Sequence, residues 1–428
     1  MGDVVLSPFS VSGAIAPPAS KSAAHRALIA AALAGGGVVN ELPRSADIDA
    51  TLNAVRAMGL TVEEKPNGVA LSRPASSPSR EAEVDCGECG TTLRLVLPVF
   101  AVRGIPARFT GSGRLPQRPL SVYQQLLPEH GVTLQVEEGA PAGDCLPLRL
   151  TGKLTGGEFL LPGNISSQFI SGLLFALPLC REDSVIRLSS PLESAGYVRM
   201  TLEAMRRAGV QVQTEGNGWR IPGGQTYSPV AYTVEGDWSQ AAFLLAAGAL
   251  GGELTVPGLS TASCQGDREV LDLLRAFGAD IYIDRAGIRC RKAPLRAITI
   301  DASQIPDLVP VLAAVASLAK GATHIRGAAR VRLKESDRLT AMAQGLNALG
   351  AEVEELPDGL TVYGKPCLTG GCVSGCNDHR VVMSLAVAAL GCREPVTITG
   401  AECVAKSWPH FFTDFIRMGG DGHVFQRR

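Results

Sequence analysis

The stretch SKSAAHRALIAAALAGG, residues 20–36, puts a small polar head at Ser22 on a run that is apolar on nearly every face. The same pattern returns five times: GTTLRLVLPVFAVRG from residue 90, NISSQFISGLLFALPL from 164, GDWSQAAFLLAAGALGG from 236, IPDLVPVLAAVASLAKG from 305 and NDHRVVMSLAVAALG from 377. With heads at Ser22, Thr91, Ser166, Asp237, Asp307 and Asp378, the intervals are 69, 75, 71, 70 and 71 residues. A helix that is apolar all round must be buried. Its N-terminus keeps amide hydrogens without intrahelical partners and the positive end of the helix dipole, and together these make an anion site. Six such ends suggest a protein built around negatively charged ligands.

A second, amphipathic helix recurs in phase with the first. Each copy ends at a glycine and continues into alternating residues: Gly59, Gly131, Gly209, Gly278, Gly350 and Gly419. Glycine is favoured just past a helix end because it takes positive φ without steric cost. Runs such as VQVQ and IYID then read as half-buried strands. Each unit is an apolar helix, a strand, an amphipathic helix and further strands, an α/β layer with one helix set inside and one outside. Long repeats often form solenoids, but 428 residues also suffice for two closed domains of three units each.

The charge is balanced, 40 Lys+Arg against 41 Asp+Glu, which argues against nucleic acid or an anionic membrane as the main partner. No basic stretch precedes an apolar one at the N-terminus, so a cytoplasmic location is expected. The uncharged stretch from Leu161 to Cys180 carries Asn164, Ser166, Ser167, Gln168 and Ser171 and reads as a buried soluble helix. Eleven cysteines read as reduced thiols. Cys86 with Cys89, and Cys372 with Cys376, have metal-like spacings. No histidine cluster supports them, and no metal is expected.

Chemistry should sit where the repeats differ. Head one has Lys21, Ser22 and Arg26, which suit a phosphate or carboxylate. Head two has Gly90, Thr91 and Arg94, with Arg118 following in GRLPQRPL; a glycine there lets a ligand approach the backbone. Head three offers Ser166, Ser167 and Gln168, either as ligand donors or as helix caps. Head five has Asp307, a residue type common at caps that would also serve as a general base. Head six has Asn377, Asp378, His379 and Arg380. Between them RVRLKESDRL places Arg332, Lys334, Glu335, Asp337 and Arg338 where the other units have no such run. It reads either as a solvated face or as a functional insert at the opening of an amphipathic helix. Lys406 stands in CVAKSWP before the last amphipathic helix.

Taken together, these departures resemble the EPSP synthases (3-phosphoshikimate 1-carboxyvinyltransferases) of the enolpyruvyl transferase family. The motifs run in order along the whole chain, from SKSAAHR through GTTLR, QRP, NISSQ, EGDWS, IPD, KESDR and NDHR to AKSWP. The resemblance implies two similar domains, each of three βαβαββ units in pseudo-threefold arrangement with buried parallel helices. Residues 1–18 with 236–428 would form the first, residues 19–235 the second, and the active site would lie in the interdomain cleft. It also implies the reaction: the enolpyruvyl group of phosphoenolpyruvate passes to the 5-hydroxyl of shikimate 3-phosphate, on the route to chorismate and the aromatic amino acids. No cofactor is implied, and a cytoplasmic monomer is.

By matched position, Lys21, Ser22, Arg26, Ser166, Ser167, Gln168, Ser194, Tyr197, Asp307 and Lys334 resemble the shikimate-phosphate contacts. Lys21, Gly90, Arg118, Gln168, Arg338, Arg380 and Lys406 resemble the phosphoenolpyruvate contacts. Asp307 and Glu335 resemble the catalytic acids. Arg330 stands where many relatives carry Asn, and ECGTTLRL has Cys89 and Leu95 where Ala and Pro are usual. The family is the target of glyphosate, and Gly90 leaves the space such an inhibitor needs. A rival is the enolpyruvyl transferase acting on UDP-N-acetylglucosamine, which has Lys-Asn where this chain has Lys21-Ser22. A non-catalytic anion binder on the same scaffold would have no need of both Asp307 and Glu335.

Overall fold

The computed structural model describes residues 2–73 and 81–419. The chain divides into two compact units, one of Met1–Ser20 with Glu235–Arg428 and one of Lys21–Val234. Each has its own apolar core.

In the Lys21–Val234 unit the buried helices are Lys21–Ala34, Gly90–Arg103 and Ser167–Ala176. Each is followed by a strand, an outer helical segment and a strand pair. Three four-stranded sheets result. In one, Ala231–Thr233 runs parallel to Gly36–Asn40, and Gly68–Ser72 and Thr61–Lys65 continue antiparallel. In the next, Ala82–Asp85 is parallel to Ala107–Thr110, with Leu148–Gly152 and Val132–Val136 beyond. In the third, Gly157–Leu161 is parallel to Ser184–Leu188, with Gly218–Ile221 and Gln213–Glu215 beyond. One parallel pair and one antiparallel hairpin per sheet is the βαβαββ unit, three times over.

The other unit repeats the plan around Trp238–Gly251, Val309–Ala316 and His379–Ala389. Thr299–Asp301, Gly321–Arg326, Gly359–Gly364 and Glu352–Leu356 make a complete four-stranded sheet. The N-terminal segment serves the other two. Val4–Leu6 pairs antiparallel with Val396–Thr399, and Val11 and Ala14 bridge in parallel to Gly252 and Thr255.

The buried helices are buried as their composition requires; in Trp238–Gly251 every residue is. The six glycines that end the outer helices all take positive φ, between 80° and 106°. The second outer helix departs from the expected form. It is a short α-helix, Ser121–Leu126, followed by a 3-10 turn, Leu127–His130, because Pro128 lacks the amide that an α-helix would use. In VQVQ the strand begins only at Gln213. The alternating residues after Gly419 lie outside the described residues. No described helix is long and apolar enough to cross a membrane, and the Leu161–Cys180 stretch holds a ten-residue helix.

Candidate active site

Asp307 is not a cap. It sits inside a 3-10 turn, Pro306–Leu308, whose cap position is Ile305, and the helix that follows has Leu308 at its cap position. Its carboxylate faces three cations instead: Arg338 Nη1 at 2.8 Å, Arg380 Nη2 at 3.4 Å and Lys334 Nζ at 3.6 Å. Arg380 Nη1 also donates to the Asp307 carbonyl at 3.2 Å.

KESDR does not open a helix as expected. Ala329–Leu333 is a 3-10 turn, Lys334 is extended, and the helix begins only at Arg338, capped by the Asp337 carboxylate. Asp is a strong N-cap, so the helix starts behind it and the preceding charges are left in the turn. Nor is the run a solvated face. The Arg338 side chain is 1% exposed and binds three acids: Asp307, Glu335 Oε2 at 2.7 Å, and Asp378 Oδ2 at 2.8 Å. Burial works against the Arg338 charge, but Asp378, Glu335 and Asp307 outweigh it and keep the guanidinium protonated. Burial likewise pushes the Asp378 carboxyl up, and the Arg338 guanidinium more than reverses this, holding it below the usual carboxylate range. Asp378 also accepts from Ser336 Oγ at 3.0 Å and caps its own helix through Arg380 N at 2.9 Å. Lys406, at the end of a 3-10 turn, donates to the Asn377 carbonyl at 2.7 Å, just before this cap. Three acids, Asp307, Glu335 and Asp378, thus share Arg338, and Asp307 also faces Arg380 and Lys334, cations that an anionic ligand could claim.

The Lys21–Val234 unit gathers its own three helix N-termini. Lys21 opens the first helix and its ammonium binds Asp47 at 2.5 Å. Arg26 is buried, and its Nη1 donates to the Ser22 carbonyl and its Nε to Thr201 Oγ1, both at 2.8 Å. It also lies 5.8 Å from the Tyr197 ring centroid. Gly90 opens the second helix, and a Cβ there would fall 2.8 Å from the buried Arg118 guanidinium. Ser166 caps the third helix, accepting from Gln168 N at 3.3 Å, and Ser167 is its buried first residue. Gln168 ties helices two and three together, donating to Thr91 Oγ1 at 2.8 Å and accepting from Arg94 at 2.9 Å. Ser194, ahead of the Ala195–Arg207 helix, takes φ 54° and ψ 42°. That is a strained left-handed conformation for a residue with a Cβ.

Several residues were missed as site components. Arg94 was seen as part of head two but not as the group that orients Gln168, and its other arm binds the Pro119 carbonyl at 2.7 Å beside Arg118. Asp47, the partner of Lys21, and Asp267, a buried acid near Asp307, had no signal in the sequence. All eleven cysteines are free and seven are buried. Cys89 meets His25 and Asp47 with ligand atoms within 4.8 Å of one another. The donor set suits a metal poorly, because Lys21 already supplies the cation for Asp47 and burial pushes the Cys89 thiol up to about 12. Arg330 reaches the Ser303 carbonyl.

Known proteins are similar to this chain in sequence and in fold. A family model described as EPSP synthase (3-phosphoshikimate 1-carboxyvinyltransferase) matches residues 6–415. The 3-phosphoshikimate 1-carboxyvinyltransferase of Clostridium acetobutylicum is 44% identical over 99% of both chains, and that of Clostridium kluyveri 42% over 98% of this chain and 97% of its own. Among solved structures, EPSP synthase from Acinetobacter baumannii superposes with a TM-score of 0.82 at 27% identity, covering 100% of each chain. The enolpyruvyl transferase NikO from Streptomyces tendae reaches 0.80 at 19% identity, covering 100% of this chain and 99% of its own, a likeness of fold. The chain belongs to the EPSP synthase family.

Proposed function

We propose that this protein transfers the enolpyruvyl group of phosphoenolpyruvate to the 5-hydroxyl of shikimate 3-phosphate, releasing phosphate. The observation that carries the reading is the cluster around Asp307: a carboxylate faced by Arg338, Arg380 and Lys334, with a second acid, Glu335, on the same arginine. The reaction joins two multiply anionic substrates and moves two protons in opposite directions, and it asks for this combination of cations and acids.

The hydroxyl oxygen attacks the central carbon of phosphoenolpyruvate while the methylene carbon gains a proton and becomes a methyl group. Asp307 takes the hydroxyl proton and Glu335 supplies the methylene proton. The tetrahedral adduct then loses phosphate, which takes the proton held by Asp307, and one methyl proton, which returns to Glu335, so that a double bond is restored and an enolpyruvyl ether remains. Lys21, Gly90, Arg118, Gln168, Arg338, Arg380 and Lys406 hold phosphoenolpyruvate. Lys21, Ser22, Arg26, Ser166, Ser167, Gln168, Ser194, Tyr197, Asp307 and Lys334 hold shikimate 3-phosphate. The steps are additions, eliminations and proton transfers that charged side chains can perform without a metal or organic cofactor. The protein works as a cytoplasmic monomer without nucleic acid.

Mass spectrometry of the product from purified protein and both substrates tests this reading. A shikimate 3-phosphate ion heavier by one enolpyruvyl group supports it. Unchanged substrate would refute it.

A further inference from the structure

Arg332 and Asp337 stand in the RVRLKESDRL run with Lys334, Glu335 and Arg338, yet neither holds substrate nor moves a proton in the proposed function. They meet each other instead: Arg332 Nη1 donates to the Asp337 carboxylate oxygens at 2.8 and 3.0 Å. The same guanidinium reaches the hairpin of Glu352–Leu356 and Gly359–Gly364, whose turn is Pro357 and Asp358. Its Nη1 donates to Glu355 Oε1 at 2.6 Å, its Nη2 to the Leu356 carbonyl at 2.7 Å and its Nε to the Pro357 carbonyl at 3.2 Å. Asp337 and Glu355 are about a third exposed, so these ion pairs alone would add little. What they share is geometry, because a planar guanidinium donates in several fixed directions at once and ties side chains and backbone together. Asp358 holds the other end of the run. Its carboxylate accepts from Gly327 N at 3.1 Å and Ala329 N at 2.8 Å, and its carbonyl from Ala328 N at 3.0 Å. The Ala329–Leu333 turn is thereby laid on the hairpin turn, and so is Asp337, which caps the Arg338–Ala348 helix through Thr340 N at 3.2 Å. Lys334 and Glu335 lie on the short span between these two fixed points.

We propose that Arg332 is a positioning residue for the reaction: with Asp358 it pins to the hairpin turn the span that presents Lys334 and Glu335. The inference rests on the proposed function, in which Glu335 supplies a proton and Lys334 holds shikimate 3-phosphate. The pinned span places Lys334 Nζ 3.6 Å from Asp307 and Glu335 Oε2 2.7 Å from Arg338. Left unpinned, it would sample many backbone conformations and present both side chains correctly only part of the time. A proton donor must stand within hydrogen-bonding reach of the atom it protonates, and a displacement of about 1 Å can cost about a hundredfold in rate. Arg332 therefore acts on the chemistry through Glu335 and on binding through Lys334, without touching either substrate.

The test is steady-state kinetics in water and in heavy water for wild type, Arg332→Met and Arg332→Lys, with amide hydrogen exchange of residues 329–337 measured alongside. Arg332→Met keeps the stem and removes every donor. It should lower kcat by about ten- to a hundredfold and raise the KM for shikimate 3-phosphate several-fold, with a smaller change in the KM for phosphoenolpyruvate. Its solvent isotope effect on kcat should exceed that of wild type, because a displaced Glu335 slows the methylene protonation relative to the other steps. Arg332→Lys should recover only part of the loss, since one ammonium cannot span the two acids and the two carbonyls. Amides of residues 329–337 should exchange faster in Arg332→Met, while those of the His379–Ala389 helix keep their wild-type rates. A smaller folded fraction alone would lower kcat and leave both the KM and the isotope effect as they are. That outcome, or exchange at 329–337 equal to wild type, overturns the inference. Should Arg332→Met fail to fold, Arg332→Lys carries the same comparison. Wild type inactive with both substrates would refute the proposed function instead, and hydrogen exchange would still decide whether Arg332 pins the span.

Discussion

At the scale of single residues, charge pairing decides what each group can do. Gly90 is small because Arg118 needs the room: a Cβ would sit 2.8 Å from the guanidinium. Gly90→Ala should therefore push Arg118 aside and raise the KM for phosphoenolpyruvate about tenfold or more, with a smaller change in kcat, read from steady-state kinetics. An unchanged KM would remove Arg118 from that pocket. Asp307→Asn keeps the shape but removes the base. It should lower kcat by about a hundredfold or more with the fold intact, and full activity would exclude Asp307 as the group that takes the proton. The sequence made Asp307 legible because it stands at the head of a buried helix, inside the IPD motif on which the family resemblance rests. It did not make Asp47 or Asp267 legible, because their meaning comes from Lys21 and Ser239, 26 and 28 positions away, and only the folded chain brings them together.

At the scale of elements, helix ends are the working parts, and close packing fixes where they stand. Gly172 lies where the Ser167–Ala176 helix meets the Gly90–Arg103 helix. A Cβ there would lie 2.3 Å from both the Arg94 carbonyl and the Tyr123 hydroxyl. Gly172→Ala should drive these helices apart and cost about 1–3 kcal/mol of stability, seen as a lower Tm, and should disturb the Arg94–Gln168 bond that joins their ends. An unaltered Tm would mean that the interface has slack. The helices themselves were legible. Apolar runs demanded burial, and six glycines marked six C-terminal turns because only glycine takes positive φ there at no cost. The local form of KESDR was not legible. Its charges looked like the exposed face of a helix, whereas the Asp337 cap delays the helix and Arg338 is buried by acids from the Pro306–Leu308 turn and the His379 helix. Pairing of that kind leaves no periodic trace in the sequence.

At the scale of the whole molecule, two three-fold repeats place buried ionisable groups under each set of helix ends, and stability becomes linked to pH. His25 is the clearest case. Burial, then Lys21 and Arg26, hold its folded pKa well below the usual value, so the folded protein keeps it neutral. As pH falls below about 6.5 the unfolded chain binds a proton that the folded chain does not, and stability declines by up to about 1.4 kcal/mol per pH unit until the folded-state pKa is reached. Replacing His25 with Gln should flatten that decline in denaturant titrations, and an identical decline would assign it to other groups. The account rests most on the identity of the acceptor. Release of inorganic phosphate from phosphoenolpyruvate should therefore be followed with shikimate 3-phosphate, with UDP-N-acetylglucosamine and with no acceptor. Release that requires shikimate 3-phosphate, and that is lost in Asp307→Asn, is the expected result. Release driven by UDP-N-acetylglucosamine, or none with any acceptor, would contradict the account.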